Sequence, residues 1–345
     1  MAQGFALDGE SLITDAQFRG VNGSAATQNP AELVVAKAEL VLILDTALHQ
    51  FQSGVDPSSI IARLTRDLHS LRRRSNSHVW NDITAIAQSH PVAEFLLQDP
   101  LTRWSFDKPR GYSGDAHLLD FIYGTGDSPN AVARASELGK TIYAYTRNAS
   151  SSVAVRERRD ILAERVDSIS TTSPAPIDVL SIASGHLREA AKSNALVQGG
   201  VRKWVAFDQD PISVGTVARD YRATSIEAVN GSVKSLLGNR HDLAKFDFIY
   251  AAGLYDYLPE RVGVRLARKC LGMLKPGGSF LFANFSGETA VDGYMETFMN
   301  WPLLLRSEDD MWKIAGESAL GLEVGVRVWF GGNRDIVYCE IANRN

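Results

Sequence analysis

The chain has 345 residues, 45% hydrophobic and 22% charged, with a formal net charge of −4. That is enough apolar material for a sizeable core in one large domain or two ordinary ones, and it excludes a global positive field able to hold nucleic acid or an anionic membrane surface. The only two cysteines, Cys270 and Cys339, lie in apolar surroundings far from metal-ligand spacing, so they read as reduced core residues and no metal is expected.

Residues 1–28 are rich in small and polar side chains without sustained periodicity, the composition of a flexible tail. Asn29-Pro30-Ala31-Glu32 then announces a helix, with a cap, a proline at the first helical position and a Glu three residues after the cap. Asp56-Pro57 repeats the signal for a second helix running into Arg72-Arg73-Arg74, which reads as a solvated face. Apolar residues at three-and-four spacing continue through Val92-Phe95-Leu96, Leu118-Leu119-Phe121-Ile122 and from Ala131 to Tyr145, so residues 29–165 are predicted to be mostly helical. The start carries no basic segment followed by an apolar core, and Lys37, Glu39 and Asp45 interrupt the most apolar stretch. A cytoplasmic protein without a membrane span is expected.

Ser168 to Pro176 breaks the periodicity and reads as a link. Beyond it the short apolar runs 177–182, 204–207, 246–251 and 279–285 alternate with helix-length segments, the pattern of a parallel sheet covered by helices and hence of an α/β, Rossmann-like domain over 166–345. The first run leads through Ala183-Ser184-Gly185-His186-Leu187 toward a helix start, where backbone N–H groups approach a ligand closely. A dinucleotide fingerprint would need three glycines; here Gly185 is the only one in the loop, with Ala183 and Leu187 two residues to either side. The second run ends in Asp208, 23 residues beyond Gly185, where a carboxylate takes the two hydroxyls of a ribose. Asp210 is the rival, although Pro211 beside it suggests a helix cap. Gly231-Ser232-Val233 closes a third strand where an adenine edge would lie, and a fourth leads into Ala252-Gly253-Leu254-Tyr255-Asp256-Tyr257. Leu274-Lys275-Pro276-Gly277-Gly278 reads as a turn feeding a fifth.

In order and spacing these parts resemble the class I S-adenosylmethionine methyltransferases over roughly residues 155–343. The resemblance implies S-adenosyl-L-methionine as cofactor, with contacts from Ala183, Ser184, Gly185, His186, Asp208, Gln209, Gly231, Ser232, Val233 and Ala252. The departures are Ser181 in place of a frequent acidic residue, two missing loop glycines, and Ser232 where an Asp commonly meets adenine. Upstream, Lys108-Pro109-Arg110-Gly111-Tyr112-Ser113-Gly114-Asp115 and the later Trp301-Pro302-Leu303-Leu304-Leu305-Arg306-Ser307 are similar to the methyltransferases of extracellular-factor 3-hydroxypalmitic acid methyl ester biosynthesis. That likeness implies that the helical half is a lid or substrate module of one enzyme.

Transfer from a sulfonium is an in-line displacement, so alignment is the main task; a carboxylate acceptor needs no base, whereas a hydroxyl wants one. On this reading Tyr112 covers the methionine end of the cofactor, Asp115 receives its ammonium or a substrate donor, and Arg110 pairs an acceptor carboxylate. The alternative makes Gly111 and Gly114 a turn and Asp115 a helix cap. Tyr255, Asp256 and Tyr257 follow the fourth strand, where such sheets place their crevice, and Tyr294, Trp301 and Arg306 complete the candidate acceptor contacts. Core packing is the competing account for at least one of Tyr255 and Tyr257, for the Tyr294 stripe and for His117, and helix capping for His186. The competing functions are a NAD-dependent oxidoreductase, disfavoured by the missing glycines, and a non-catalytic adenosyl-binding module. A small-molecule acceptor is the expected partner, and a homo-oligomer stays open.

Overall fold

Strand β1 (Ile177–Ile182) is buried at all six residues, a pattern that only a central strand of a sheet covered on both faces tolerates. In the computed structural model, which describes residues 30–344, it pairs in parallel with β2 (Val201–Asp208) on one side and β4 (Phe246–Ala251) on the other. With β3 (Ile226–Asn230), β5 (Leu274–Phe285), β6 (Val324–Phe330) and β7 (Ile336–Asn343) the sheet has seven strands in the order β3-β2-β1-β4-β5-β7-β6. β7 runs antiparallel to both β5 and β6. The fold is thus the expected Rossmann-like α/β sheet with a helical N-terminal region. The expected tail over 1–28 and the Asn29 cap lie outside the described residues.

The described chain divides into two compact units: one holds the residues up to Val153 together with Thr289–Pro302, the other Ala154–Glu288 and Leu303 onward. The division falls inside a helix, Ser150–Thr172. The link predicted from Ser168 is therefore mostly helical, and only residues 173–176 lie between the helix and β1. Its serines and threonines stay helical by turning their hydroxyls to carbonyls: Thr171 Oγ1 donates to Asp167 O (2.8 Å) and Thr172 Oγ1 to Ser168 O (3.1 Å). The predicted turn 274–278 is likewise absorbed into β5 as a bulge. Phe246 pairs with Leu274 but Phe248 with Ser279, and Gly278 passes so close that a Cβ there would lie 3.0 Å from the carbonyl oxygens of both Phe246 and Asp247.

In the helical unit, Asp56 caps the helix Pro57–Arg74 by accepting from Ser59 N. Its Ile60, Ile61, Leu64, Leu68 and Leu71 are buried at helical spacing. The short helix Asp292–Thr297, distant in sequence, belongs to the same unit: a Cβ on Gly293 would lie 2.6–2.8 Å from backbone atoms of Leu68 and His69, so only glycine fits. Asp292 bonds His69 (2.6 Å), and Glu296 accepts from Arg72 and from Trp80 Nε1. Among the described residues no helix is long and apolar enough to cross a membrane.

Candidate functional site

The loop after β1 places three residues in the left-handed region: Ala183 (φ +55°), Gly185 (+53°) and Leu187 (+50°). These are three alternate positions of the loop, so the backbone keeps a path that favours glycine although two of the three carry side chains that oppose it, at roughly 1–2 kcal/mol each. The surroundings over-determine the strained path. Ser184 N–H donates to Phe207 O (3.2 Å), Gly185 N–H to Asp208 Oδ2 (2.7 Å), and Tyr221 OH to Leu187 O (3.0 Å), while the Leu187 side chain is buried. Ser184 Oγ is itself buried and finds no hydrogen-bond partner.

Past the loop the chain does not form the expected helix. A 3₁₀ turn, Ala190–Lys192, and the four-residue helix Asn194–Val197 take its place, because Asp167 draws off the Ser193 hydroxyl and the N–H groups of Asn194 and Ala195. No helix dipole supports this loop; its anchor is Asp208. There is accordingly no helix here for His186 to cap, and its half-buried ring sits 3.5 Å from Arg188 Nη2.

Asp208 is buried, with Oδ2 accepting from Gly185 and Oδ1 from Asp210 N–H (2.8 Å). Burial pushes its carboxyl pKa up against the pull of those two N–H groups. Each oxygen keeps a further lone pair for a ligand donor. Asp210 is a helix cap, accepting from Ile212 N (2.9 Å). The end of β3 closes against the same residues: Gly231 N–H donates to Asp208 O (2.9 Å), and Asn230 Nδ2 reaches the carbonyls of Asp208 and Gln209. Gly231 is needed because a Cβ would lie 2.3 Å from the Phe207 ring and 2.7 Å from His241 Nε2. Ser232 caps the next helix in a reciprocal pair with Ser235, and Val233 is buried. The loop residues, Asp208, Gln209 and Gly231 to Val233 thus come together at the carboxyl ends of β1, β2 and β3.

Three residues expected at the acceptor are held in buried structural contacts. Tyr255 is fully buried, its ring stacked on Phe282 (4.3 Å between centroids) and its OH donating to Gly263 O (3.0 Å). Asp256 is buried, with Oδ1 accepting from Phe285 N–H (2.6 Å). Burial pushes its carboxyl pKa up to about 6, against the charges of Arg158 and Arg306. Arg306 spends its donors on the carbonyls of Tyr255 and Leu258 and on Asn284 Oδ1, tying the segment after β4 to the end of β5. The position after the fourth strand suggested exposure here; long-range packing removed it. Tyr257 stays half-buried, and Ala252 is buried beside the end of β4.

Arg110, Tyr112, Asp115, Tyr294 and Trp301 belong to the helical unit. Asp115 is buried and caps the helix Ala116–Tyr123, accepting from the N–H groups of His117 and Leu118 (both 2.9 Å) and from Trp104 Nε1 (2.9 Å), the helix-cap alternative read from the sequence. Gly111 and Gly114 hold the left-handed turns before it. Tyr294 OH lies 3.1 Å from Thr102 Oγ1 in the interior, where Trp301 is also buried. Arg110 and Tyr112 are half-buried. His117 is half-buried, its ring packed against Trp104 and Phe121.

Sequence reasoning did not single out Glu189, whose buried Oε1 accepts from Tyr250 OH (2.6 Å), nor Arg158. Glu189 stands four residues after Gly185, a weak signal, whereas nothing on the charged helix of Arg158 marks it. Among the described residues no group of three or more His, Cys, Asp or Glu side chains could hold a metal ion.

No family model matches the chain, and no curated protein does. Solved structures do. A possible exported protein of Bordetella parapertussis is 14% identical, over 90% of this chain and 97% of its own, with a TM-score of 0.54. The likeness concerns the fold alone. The N-methyltransferase NodS of Bradyrhizobium japonicum with S-adenosyl-L-homocysteine is 18% identical over 57% of this chain and 90% of its own (TM-score 0.40). The magnesium protoporphyrin IX methyltransferase of Synechocystis, also with S-adenosylhomocysteine, is 11% identical over 65% and 91% (TM-score 0.44).

Proposed function

We propose that this chain is an S-adenosylmethionine-dependent methyltransferase acting on a small-molecule acceptor. The observation that carries the reading is the β1 loop: it holds the left-handed path at Ala183, Gly185 and Leu187 and is pinned through Gly185 N–H to the Asp208 carboxylate. The residues fit an adenosyl cofactor, since Ser184 Oγ is buried without a partner and both oxygens of Asp208 keep a lone pair for ribose hydroxyls. Gly231, Ser232 and Val233 are the adenine contacts on this reading, and Gln209 and Ala252 border the same strand ends.

When bound, the cofactor supplies a methyl group on a sulfonium. The chain's own contribution is alignment and exclusion of water. Of the three residues after β4, Tyr257 is the one left partly exposed for the acceptor, so base catalysis by Asp256 is not part of the proposal. A carboxylate acceptor, which needs no base, suits this arrangement, and the sequence likeness to the hydroxypalmitate ester enzymes points to a hydroxy acid. Roles for Arg110 and Tyr112 rest on that likeness alone.

Calorimetric titration with S-adenosylmethionine, S-adenosylhomocysteine and NAD tests the cofactor, followed by transfer of labelled methyl to a panel of 3-hydroxy acids. Binding of both adenosyl compounds and not NAD is expected. Binding of NAD alone, or of none of the three, overturns the reading.

A further inference from the structure

β1 and β4 are neighbours, and the strand order runs outward from β1 to β3 on one side and from β4 to β5 on the other. Their carboxyl ends therefore flank the topological switch point, where open sheets of this kind take ligands. Arg158, on the helix Ser150–Thr172, is 5% exposed, and its Nη1 is buried without a hydrogen-bond partner. Its place beside the end of β4 is fixed by Gly253. A Cβ on Gly253, just past the end of β4, would lie 3.4 Å from its Nη2. Its charge is felt by Glu189, which lies beyond the β1 loop, and by Asp256.

A guanidinium has five donors and does not shed its proton, and a buried arginine is ordinarily paired. The two nearby acids are bonded to neutral donors: Glu189 Oε1 accepts from Tyr250 OH and Asp256 Oδ1 from Phe285 N–H. The partner that matches the fork of Arg158 is a planar oxyanion. Any negative charge that Glu189 and Asp256 carry disfavours a phosphate dianion beside it and leaves a singly charged carboxylate.

We propose that Arg158 binds a ligand carboxylate at the switch point between β1 and β4. The assignment rests on the adenosyl reading of the site. Two sources share the chemistry: the amino-acid end of the cofactor, and the carboxylate of the acceptor.

The test is titration of wild type, Arg158→Gln and Arg158→Lys with S-adenosylhomocysteine and with 5′-methylthioadenosine, the same nucleoside without the amino-acid group. Octanoate is then titrated into each S-adenosylhomocysteine complex. With the cofactor as source, Arg158→Gln weakens S-adenosylhomocysteine at least tenfold and leaves methylthioadenosine unchanged, and the lysine variant, which keeps the charge balance should the glutamine variant fail to fold, shows a smaller loss in the same ratio. With the acceptor as source, both nucleosides bind as before and octanoate binding is lost. An unchanged nucleoside ratio together with no octanoate binding that depends on Arg158 overturns the assignment, as does an equal loss for both nucleosides. A wild-type protein that binds neither nucleoside overturns the adenosyl reading instead, and this assignment with it.

Discussion

Replacing Asp208 by alanine removes one carboxylate that serves two purposes, and their sizes differ enough to separate. Within the protein, Asp208 accepts from Gly185 N–H at 2.7 Å and from Asp210 N–H at 2.8 Å. An unmet buried donor costs roughly 1–3 kcal/mol. Loss of a carboxylate whose charged form burial disfavours offsets part of that, leaving a net destabilisation of about 1–3 kcal/mol. Toward the ligand, two charge-assisted bonds from ribose hydroxyls at roughly 1.5–3 kcal/mol each amount to about two to four decades in affinity. Urea denaturation of the free protein reads the first quantity, and calorimetry with S-adenosylhomocysteine the second. Asp208→Asn keeps one acceptor oxygen and should fall between alanine and wild type in both. An alanine variant that is folded, destabilised as expected, and still binds S-adenosylhomocysteine within about threefold of wild type would show that Asp208 only braces the loop.

Ala183→Gly relieves the left-handed strain at an exposed position, worth roughly 1–2 kcal/mol less the roughly 0.5–1 kcal/mol that glycine loses in chain entropy; a small rise in midpoint without loss of cofactor affinity is expected, and a clear fall would refute the strain. Gly293→Ala forces a Cβ to 2.6–2.8 Å from the backbone of Leu68 and His69 and should destabilise the helical unit by about 2 kcal/mol or more, visible as a lower urea midpoint; an unchanged midpoint would mean that helix does not seat as described. Asp256 carries a pKa raised by burial from its ordinary 3.8 to about 6, so the folded state binds its proton more tightly than the unfolded chain does. That contribution is complete below about pH 4 and lost as pH rises through 6, a swing of roughly 3 kcal/mol. The stability of Asp256→Asn relative to wild type should therefore rise between pH 4 and pH 7, and a pH-independent difference would show that Asp256 is ionised throughout.

The sheet was legible in the sequence because central parallel strands must be apolar on both faces, and β1 and β4 announce themselves as unbroken runs. Asp208 was legible too, since a carboxylate at the end of β2, at a set distance from a small-residue loop, is a local pattern. Strands β6 and β7 were not singled out. The edge strand β6 is only partly buried, and β7 carries the buried Glu340, bonded by Ser279 and Arg165, inside an otherwise apolar run.

What the sequence by itself determined is the set of elements whose signals are local: capped helices, apolar strands, and the glycine-like path after β1, which holds even where glycine is missing. The tertiary structure decided which polar residues remain free for chemistry. Tyr255, Asp256, Asp115 and Arg306 are chemically suited to a site, yet each is bonded to partners such as Gly263, Phe285, Trp104 and Asn284. Arg158, unmarked in the sequence, is buried with an unpaired nitrogen. The physical reason is that the availability of a polar group depends on the donors and acceptors folded around it, and those come from distant parts of the chain.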